Sequence, residues 1–218
     1  MYKIPFCIIF SLYCFSSFSQ PKTSVLIDPR NGLEYKTVFL NNQWWMAENL
    51  NYRPSSGQFW FPQDLPEMND TYGYLYSYQT ALKACPVGWH LPSRDEWIKL
   101  MDSFSDGGYI FNSQGQMMGE KKAIYLKNEY HWDKCGREYD EYGRLIDLKG
   151  SDKYGFGAFP AGYRDWDGTY FGFGTNARWW TSSKEVTNAY YYYLNCSDQS
   201  WRSGDMNMGL SVRCVKNK

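Results

Sequence analysis

Three stretches of this chain carry residue types whose spacing could do chemistry. In CPVGWHLPSRDEW, Cys85 to Trp97, a thiol and the imidazole of His90 stand close in sequence. A thiolate beside a base is the ordinary arrangement for cysteine nucleophiles. The plainer alternative is a disulfide cysteine next to a loop histidine. Asp165-Trp166-Asp167-Gly168 sets two carboxylates at spacing two. That pattern could contribute to a Ca²⁺ site, and the same residue types also build simple turns. Finally, Trp166, Tyr170 and Phe171 fall between Arg164 and Arg178, and Trp201 falls between Ser197 and Met208. Exposed aromatics of this kind stack on sugar rings or anchor protein contacts. Asn176 and Asp198 supply hydrogen-bonding groups in the same two stretches. The candidate ligand-binding set is therefore Asp165, Trp166, Asp167, Tyr170, Asn176, Asp198 and Trp201. No catalytic set emerges. His90 and His131 are the only histidines and no Cys-x-x-Cys occurs, so no metal ligand set and no structural zinc are expected.

The ends of the chain set the chemical environment. MYKIPFCIIFSLYCFSSFSQ has a basic Lys3, an apolar run from Ile4 to Phe15, and small residues at Ser17 and Ser19. It reads as a secretory leader over residues 1–19, cleaved near Ser19, with a single domain over 20–218. Cleavage takes Lys3 from the 23 basic residues, leaving 22 against 23 acidic and a net charge of −1. Such a balance gives no footprint for nucleic acid. No later segment is long and apolar enough to span a bilayer. Cleavage also removes Cys7 and Cys14, leaving Cys85, Cys135, Cys196 and Cys214. An even count in an exported chain favours two disulfides, with three pairings open.

The elements that must position these residues are short. Val25 to Ile27, Tyr35 to Leu40 and Gln43 to Met46 read as strands, joined at Asp28 to Gly32 and Asn41-Asn42. Arg53 to Tyr72 reads as loop. A first helix is expected over Ser77 to Ala84, ended by Pro86. A second starts at the capping box Ser93-Arg94-Asp95-Glu96, with Trp97, Leu100, Met101 and Phe104 on one face. After Gly107 the pattern is irregular to about Tyr154. Strands are expected again at Phe156 to Ala161, Trp179 to Ser183, Ala189 to Asn195 and Leu210 to Lys216, with loops at Arg164 to Arg178 and Ser197 to Met208. The four tyrosines Tyr190 to Tyr193 suit a strand covered on both faces. Abundant aromatics (10 Trp, 20 Tyr) and 19 glycines agree with short strands and long ordered loops. The pattern is α+β: two helices beside a mostly antiparallel sheet.

The ordered stretches DPRNGLEYKTVFLNNQWWMAENLNY, YGYLYSYQTAL, ALKACPVGWHLPSRDEW, GFGAFPAGYRDWDGTYFGFGTNARWWTSS and GLSVRCVKN resemble the Fibrobacter succinogenes major paralogous domain, over nearly all of Val25 to Asn217. The resemblance implies an exported bacterial protein, mainly of the Bacteroidetes–Fibrobacter group, at the cell surface, in the periplasm or in the medium. The helix bearing Ala81, Leu82 and Cys85, with Gly88, Leu91 and Glu96, more distantly resembles C-type-lectin-like domains. That implies a C-type-lectin-like fold with Cys85 bonded to Cys214, leaving Cys135 with Cys196. HLPSRDEW and SVRCV are similar to the formylglycine-generating branch of that fold, whose members hold copper on a cysteine pair. Here Cys196 and Cys214 are the C-terminal cysteines, and that branch's arginine-rich catalytic segment is missing. The Glu-Pro-Asn and Trp-Asn-Asp calcium motifs of sugar-binding lectins are missing too. The expectation is a non-catalytic binding module without a required cofactor, recognising a glycan or a surface protein. The alternatives are an adhesin-tip or structural surface protein, or an enzyme of the formylglycine-generating type.

Overall fold

The two-residue link Asn41-Asn42 takes positive φ at both positions, 46° and 58°, between strands paired Leu40 to Gln43. Mirror-image turns of this kind match the right-handed twist of flanking strands, and asparagine tolerates them. This hairpin opens the structure, a computed structural model that describes residues 21–104, 108–111, 113–114, 116–120 and 122–218. The expected leader lies outside the described residues.

The hairpin belongs to a five-stranded antiparallel sheet in the order β1 (Thr23–Ile27), β2 (Glu34–Leu40), β3 (Gln43–Met46), β16 (Val215–Lys216) and β6 (Trp89–His90). The last strand thus lies between an early hairpin and the segment after Cys85. A three-stranded antiparallel sheet holds β13 (Ala177–Lys184), β14 (Asn188–Leu194) and β15 (Gln199–Asp205) in that order. A four-stranded sheet runs β10 (Leu145–Asp147), β9 (Arg137–Asp140), β7 (Tyr109–Phe111) and β8 (Met117–Glu120). Two small pairs complete the set: β4 (Phe59–Trp60) with β5 (Leu75–Tyr76), and β11 (Tyr163–Arg164) with β12 (Tyr170–Phe171). The helices are α1 (Asn69–Tyr72), α2 (Tyr78–Ala81), α3 (Arg94–Asp102) and α4 (Lys122–Leu126). The chain is mixed α/β, mostly strand, with antiparallel sheets and two disulfides.

Several expectations are corrected. The stretch 53–72 is not all loop: it contains β4, two 3-10 turns and α1. Within 108–154 a whole sheet and α4 stand where the sequence shows no period, because its strands are short and half exposed. The helix expected over Ser77 to Ala84 shrinks to one turn, Tyr78–Ala81, after which the Lys83 and Ala84 amides bond three residues back, to the Thr80 and Ala81 carbonyls at 3.1 and 3.2 Å. The Ser77 hydroxyl meets Thr80 Oγ1 at 3.0 Å instead of capping the backbone. Phe156 to Ala161 makes a single bridge, Ala158 to Lys127. Of Leu210 to Lys216 only β16 is a ladder, with Leu210 and Ser211 in isolated bridges. The stretch 197–208 is not a loop but carries β15, and 164–178 carries the hairpin end β12.

Alternating residues of the central strands divide the interior into two cores. Trp45, Trp179, Tyr192 and Val215 enter one, with Trp97 of α3. Met46, Trp180, Tyr191 and Cys214 enter the other, with Tyr78 of α2. The capping box forms as expected: Ser93 Oγ accepts from the Glu96 amide at 3.2 Å, and Glu96 Oε2 accepts from the Ser93 amide at 2.8 Å. It aims Trp97 onto Tyr192, ring to ring at 4.8 Å, and edge-on to Trp45 at 5.0 Å.

Covalent and polar ties hold these layers. Of the three possible pairings, the structure contains Cys85–Cys214 and Cys135–Cys196. The first spans 129 residues and is worth roughly 5 kcal/mol in the chain-entropy account. The fully buried Arg213 donates to Asn49 Oδ1 at 3.0 Å, to the Gly157 carbonyl at 2.6 Å, and to the Phe156 carbonyl. Its guanidinium lies over the Phe156 ring at 4.3 Å. Burial lowers its pKa to about 9, while the charge of Asp152 pulls the other way. Gly157 is required beside it: φ is +61°, and a Cβ would stand 2.7 Å from the Ala47 carbonyl oxygen. Lys127 is equally buried. Its ammonium donates to the carbonyls of Leu148 at 2.8 Å and Cys196 at 2.5 Å, over the Trp132 ring. Burial lowers its pKa from 10.5 to about 7.

Two outcomes follow. Arg213→Met should leave the Gly157 and Phe156 carbonyls without donors and cost about 3 to 5 kcal/mol in urea unfolding of the oxidised protein. Lys127, with its lowered pKa, binds fewer protons folded than unfolded between pH 7 and 10.5, so its contribution to stability rises with pH across that window. Lys127→Met should flatten the pH dependence there by up to about 1.4 kcal/mol per pH unit. Identical slopes for the two proteins would sink this account of Lys127.

Candidate functional site

Strand register decides which side chains share a surface. In the β13–β14–β15 sheet, Arg178 lies opposite Tyr193 and Ser200, and Trp180 opposite Tyr191 and Arg202. Directly paired residues of antiparallel strands project to one face. That face therefore carries Arg178, Trp180, Tyr191, Tyr193, Ser200 and Arg202. The other carries Trp179, Tyr192 and Trp201, facing α3. Trp180 is buried and gives its indole N–H to the Tyr76 carbonyl at 2.7 Å. It anchors the first face together with the buried Tyr191, while Arg178, Tyr193 and Ser200 are half-buried and Arg202 is exposed.

The β11–β12 hairpin completes this surface. Gly162 bridges to Ala177 at the start of β13 and sets Tyr163 against Arg178, whose guanidinium carbon is 3.3 Å from the ring centre. Phe171, 43% exposed, stacks on Tyr163 with centres 5.6 Å apart. Arg178 donates Nε to Asn176 Oδ1 at 3.2 Å and Nη1 to the Tyr191 hydroxyl at 3.3 Å. Across β14, the Arg202 guanidinium lies 5.4 Å from the Tyr193 ring. The Tyr193 hydroxyl donates to Asp198 Oδ2 at 2.5 Å. Burial, then the bond to Asp198 and its charge, raise the phenol to about 12. The result is a row, Phe171–Tyr163–Arg178–Tyr193–Arg202, of rings alternating with cations, with the buried Tyr191 beneath it accepting from Arg178. Among the described residues neither arginine has a carboxylate at ion-pair distance. Chemically such a row offers flat apolar faces, free guanidinium N–H groups and a few hydroxyls.

The structure gathers only part of the candidate set from the sequence here. Asn176 and Asp198 belong to the row, each as the acceptor that holds one of its members. Asp165, Trp166 and Asp167 form the hairpin turn, where Asp165 Oδ1 accepts from the Trp166 amide and Asp167 Oδ1 from the Thr169 amide, both at 2.9 Å. Trp166 stands out at the tip, 65% exposed. Tyr170 is half-buried against the small core of Tyr72, Leu75 and Ala161. Trp201 lies on the opposite face of the sheet, 40% exposed. There the Arg94 guanidinium lies over it at 3.5 Å and Tyr190 meets it edge-on at 5.8 Å. Trp166 and Trp201 therefore do not line one groove.

The remaining chemistry is spoken for. Cys85 is bonded to Cys214, and His90 sits between Glu96 Oε1 at 3.0 Å and Asn217 Oδ1 at 2.7 Å, so the two do not form a nucleophile–base pair. His131 Nδ1 meets the Tyr72 hydroxyl at 3.2 Å, and burial lowers its pKa. The carboxylates of Asp165 and Asp167 are bound into their own turn, and the Thr169 amide holds Asp167 below the usual range. Among the described residues no three His, Cys, Asp or Glu side chains converge as metal ligands. This donor set does not fit Ca²⁺, which takes roughly six to eight oxygens. Elsewhere a cleft of about 290 Å³ is lined by Glu34, Glu48, Asn51, Asn69 and Asp70, and one of about 320 Å³ by Arg30, Tyr52, Gln79 and Lys83.

Sequence reasoning missed Tyr163, Arg178, Tyr193 and Arg202 as a unit. Arg178 and Trp180 do share one period-two face, as do Tyr191 and Tyr193, which was the available signal. The third member sits in QSWRSGD, which has no apolar alternation and so does not read as a strand.

A family model described as the Fibrobacter succinogenes major domain matches residues 38–216. Comparison with curated proteins and with solved structures found no match. The match runs from β2 through β16 and so takes in the whole row and both disulfides; the chain belongs to the Fibrobacter succinogenes major domain family.

Proposed function

We propose that this protein is an exported, non-catalytic binding module that recognises a glycan through the row from Phe171 to Arg202. The observation that carries the reading is the row itself: partly exposed rings and two guanidiniums with no ion pair among the described residues, set on an antiparallel sheet. Pyranose rings present C–H faces that pack on aromatic rings, and their hydroxyls suit guanidinium and tyrosine partners. Export is supported by the two disulfides, and among the described residues no helix is long and apolar enough to cross a membrane. The cell surface, the periplasm and the medium all suit such a module. A C-type-lectin-like arrangement is supported by the bond from the segment after α2 to the last strand, and by the return of that strand beside the N-terminal hairpin. The alternative of a copper enzyme of the formylglycine-generating type lacks support, because Cys85, Cys135, Cys196 and Cys214 are all disulfide-bonded.

The test is a glycan panel probed with the oxidised protein beside Phe171→Ala, Tyr163→Ala and Trp201→Ala. Binding should weaken at least about tenfold in the first two and change by less than about twofold in Trp201→Ala, on the opposite face. A folded protein that binds no glycan would overturn the reading. Attachment to intact cells that survives removal of their glycans would replace it with recognition of a surface protein.

A further inference from the structure

Arg178 and Arg202 occupy one face of one sheet, on the two strands that flank β14. Ser200 lies across from Arg178 and Arg202 two residues further along β15, so their backbone positions are two interstrand spacings and two residues apart, about 12 Å. Arg178 lies flat between Tyr163 and the Tyr191 side, with one N–H given to Asn176 and one to Tyr191. A guanidinium has five N–H donors, so about three remain unused. Arg202 is exposed, lies near the Tyr193 ring, and has no ion-pair partner among the described residues. A cation held on an aromatic face keeps its N–H edge clear for a planar anion, and carboxylate is the shape that edge fits in bidentate fashion.

Resting on the glycan reading of this same surface, we infer that the ligand is an anionic carbohydrate whose carboxylates, of the uronic-acid kind, are bound by Arg178 and Arg202. With the Tyr193 ring between them on this face and backbone positions about 12 Å apart, the two arginines stand more than one sugar ring apart at the backbone, so an oligosaccharide with repeated carboxylates matches the spacing. The aromatic faces favour a saccharide over an acidic peptide, because they stack on ring C–H groups that a run of carboxylate side chains lacks. The chain has no general positive field to gather polyanions, since basic and acidic residues balance at 23 each. Recognition must therefore be local. Asp198, held by Tyr193 in the middle of the row, keeps carboxylates from its own position and leaves the two guanidinium edges as the anion contacts.

The experiment is calorimetric titration of the full oxidised protein with an oligogalacturonate, with the same oligosaccharide after carboxyl reduction, and with polyglutamate. Arg202→Gln is the main variant, because its side chain is exposed and the fold does not lean on it. Arg178→Gln is the second, and Lys216→Gln on β16 is the remote charge control. The expected result is binding of the oligogalacturonate, weakened at least about tenfold by carboxyl reduction and by either arginine substitution, and unchanged by Lys216→Gln. Equal binding of the acidic and reduced oligosaccharides, with Arg202→Gln indifferent, would overturn the anionic assignment and leave the glycan reading standing. Binding of polyglutamate alone would overturn both readings, and binding of none of the three would overturn the anionic assignment while the glycan panel decides the broader one. Equal losses in Arg202→Gln and Lys216→Gln would also overturn the assignment, by reducing it to diffuse charge attraction.

Discussion

The fold depends on one buried charge. Arg213 lies between the last strand and the loop at Phe156 and Gly157, with no carboxylate in direct contact among the described residues, and is satisfied by carbonyl oxygens and by Asn49. Asn49 in turn accepts the indole N–H of Trp179 at 2.8 Å and donates to the Tyr72 carbonyl at 2.8 Å. Desolvating a guanidinium costs several kcal/mol unless all its donors are engaged. Every acceptor must therefore be in place at once, and they come from sequence positions far apart. The network accordingly specifies how the segments are arranged as much as it stabilises them. Asp152 belongs to the same region: its carboxylate accepts the Gly157 amide at 2.7 Å, and burial raises its pKa to about 6.

The aromatic composition has a structural explanation in the two cores. Strands with both faces covered need large side chains at successive positions, and Trp179-Trp180 and Tyr191-Tyr192 serve opposite cores. On the α3 side, Trp97 stacks on Trp179 and Tyr192 and fixes the back of the sheet. On the α2 side, Trp180 and Tyr78 pack edge to face at 5.5 Å. The row of rings and guanidiniums lies just beyond Trp180 on that second side, so its backbone is held by the packing behind it. A recognition surface on a sheet with a packed back keeps its spacing better than one on free loops.

Much of this was legible locally. The Asn41-Asn42 hairpin, the capping box at Ser93 and the buried face of α3 each arise from contacts within about ten residues, where residue type and geometry are coupled. Leu210, Val212 and Cys214, alternate residues of the stretch expected as a strand over Leu210 to Lys216, all enter one core. The sheet within 108–154 and strand β15 were illegible because short, half-exposed strands get their stability from partners and not from propensity.

By itself, the sequence determined the mixed, strand-rich class, the turns, one long helix with its cap, and family membership, since these rest on local chemistry and on ordered motifs. It also determined that four cysteines follow the expected leader; the residues alone left three pairings open, and the resemblance implied the Cys85–Cys214 and Cys135–Cys196 bonds that the structure contains. Only the tertiary structure decided that Arg213 is enclosed by carbonyls and which face Trp201 takes. The physical reason is that strand side chains alternate with period two. A shift of one residue in the β14–β15 register would carry Arg202 to the opposite face from Arg178, and that register is set by pairing along the whole of β15 rather than by any residue in it.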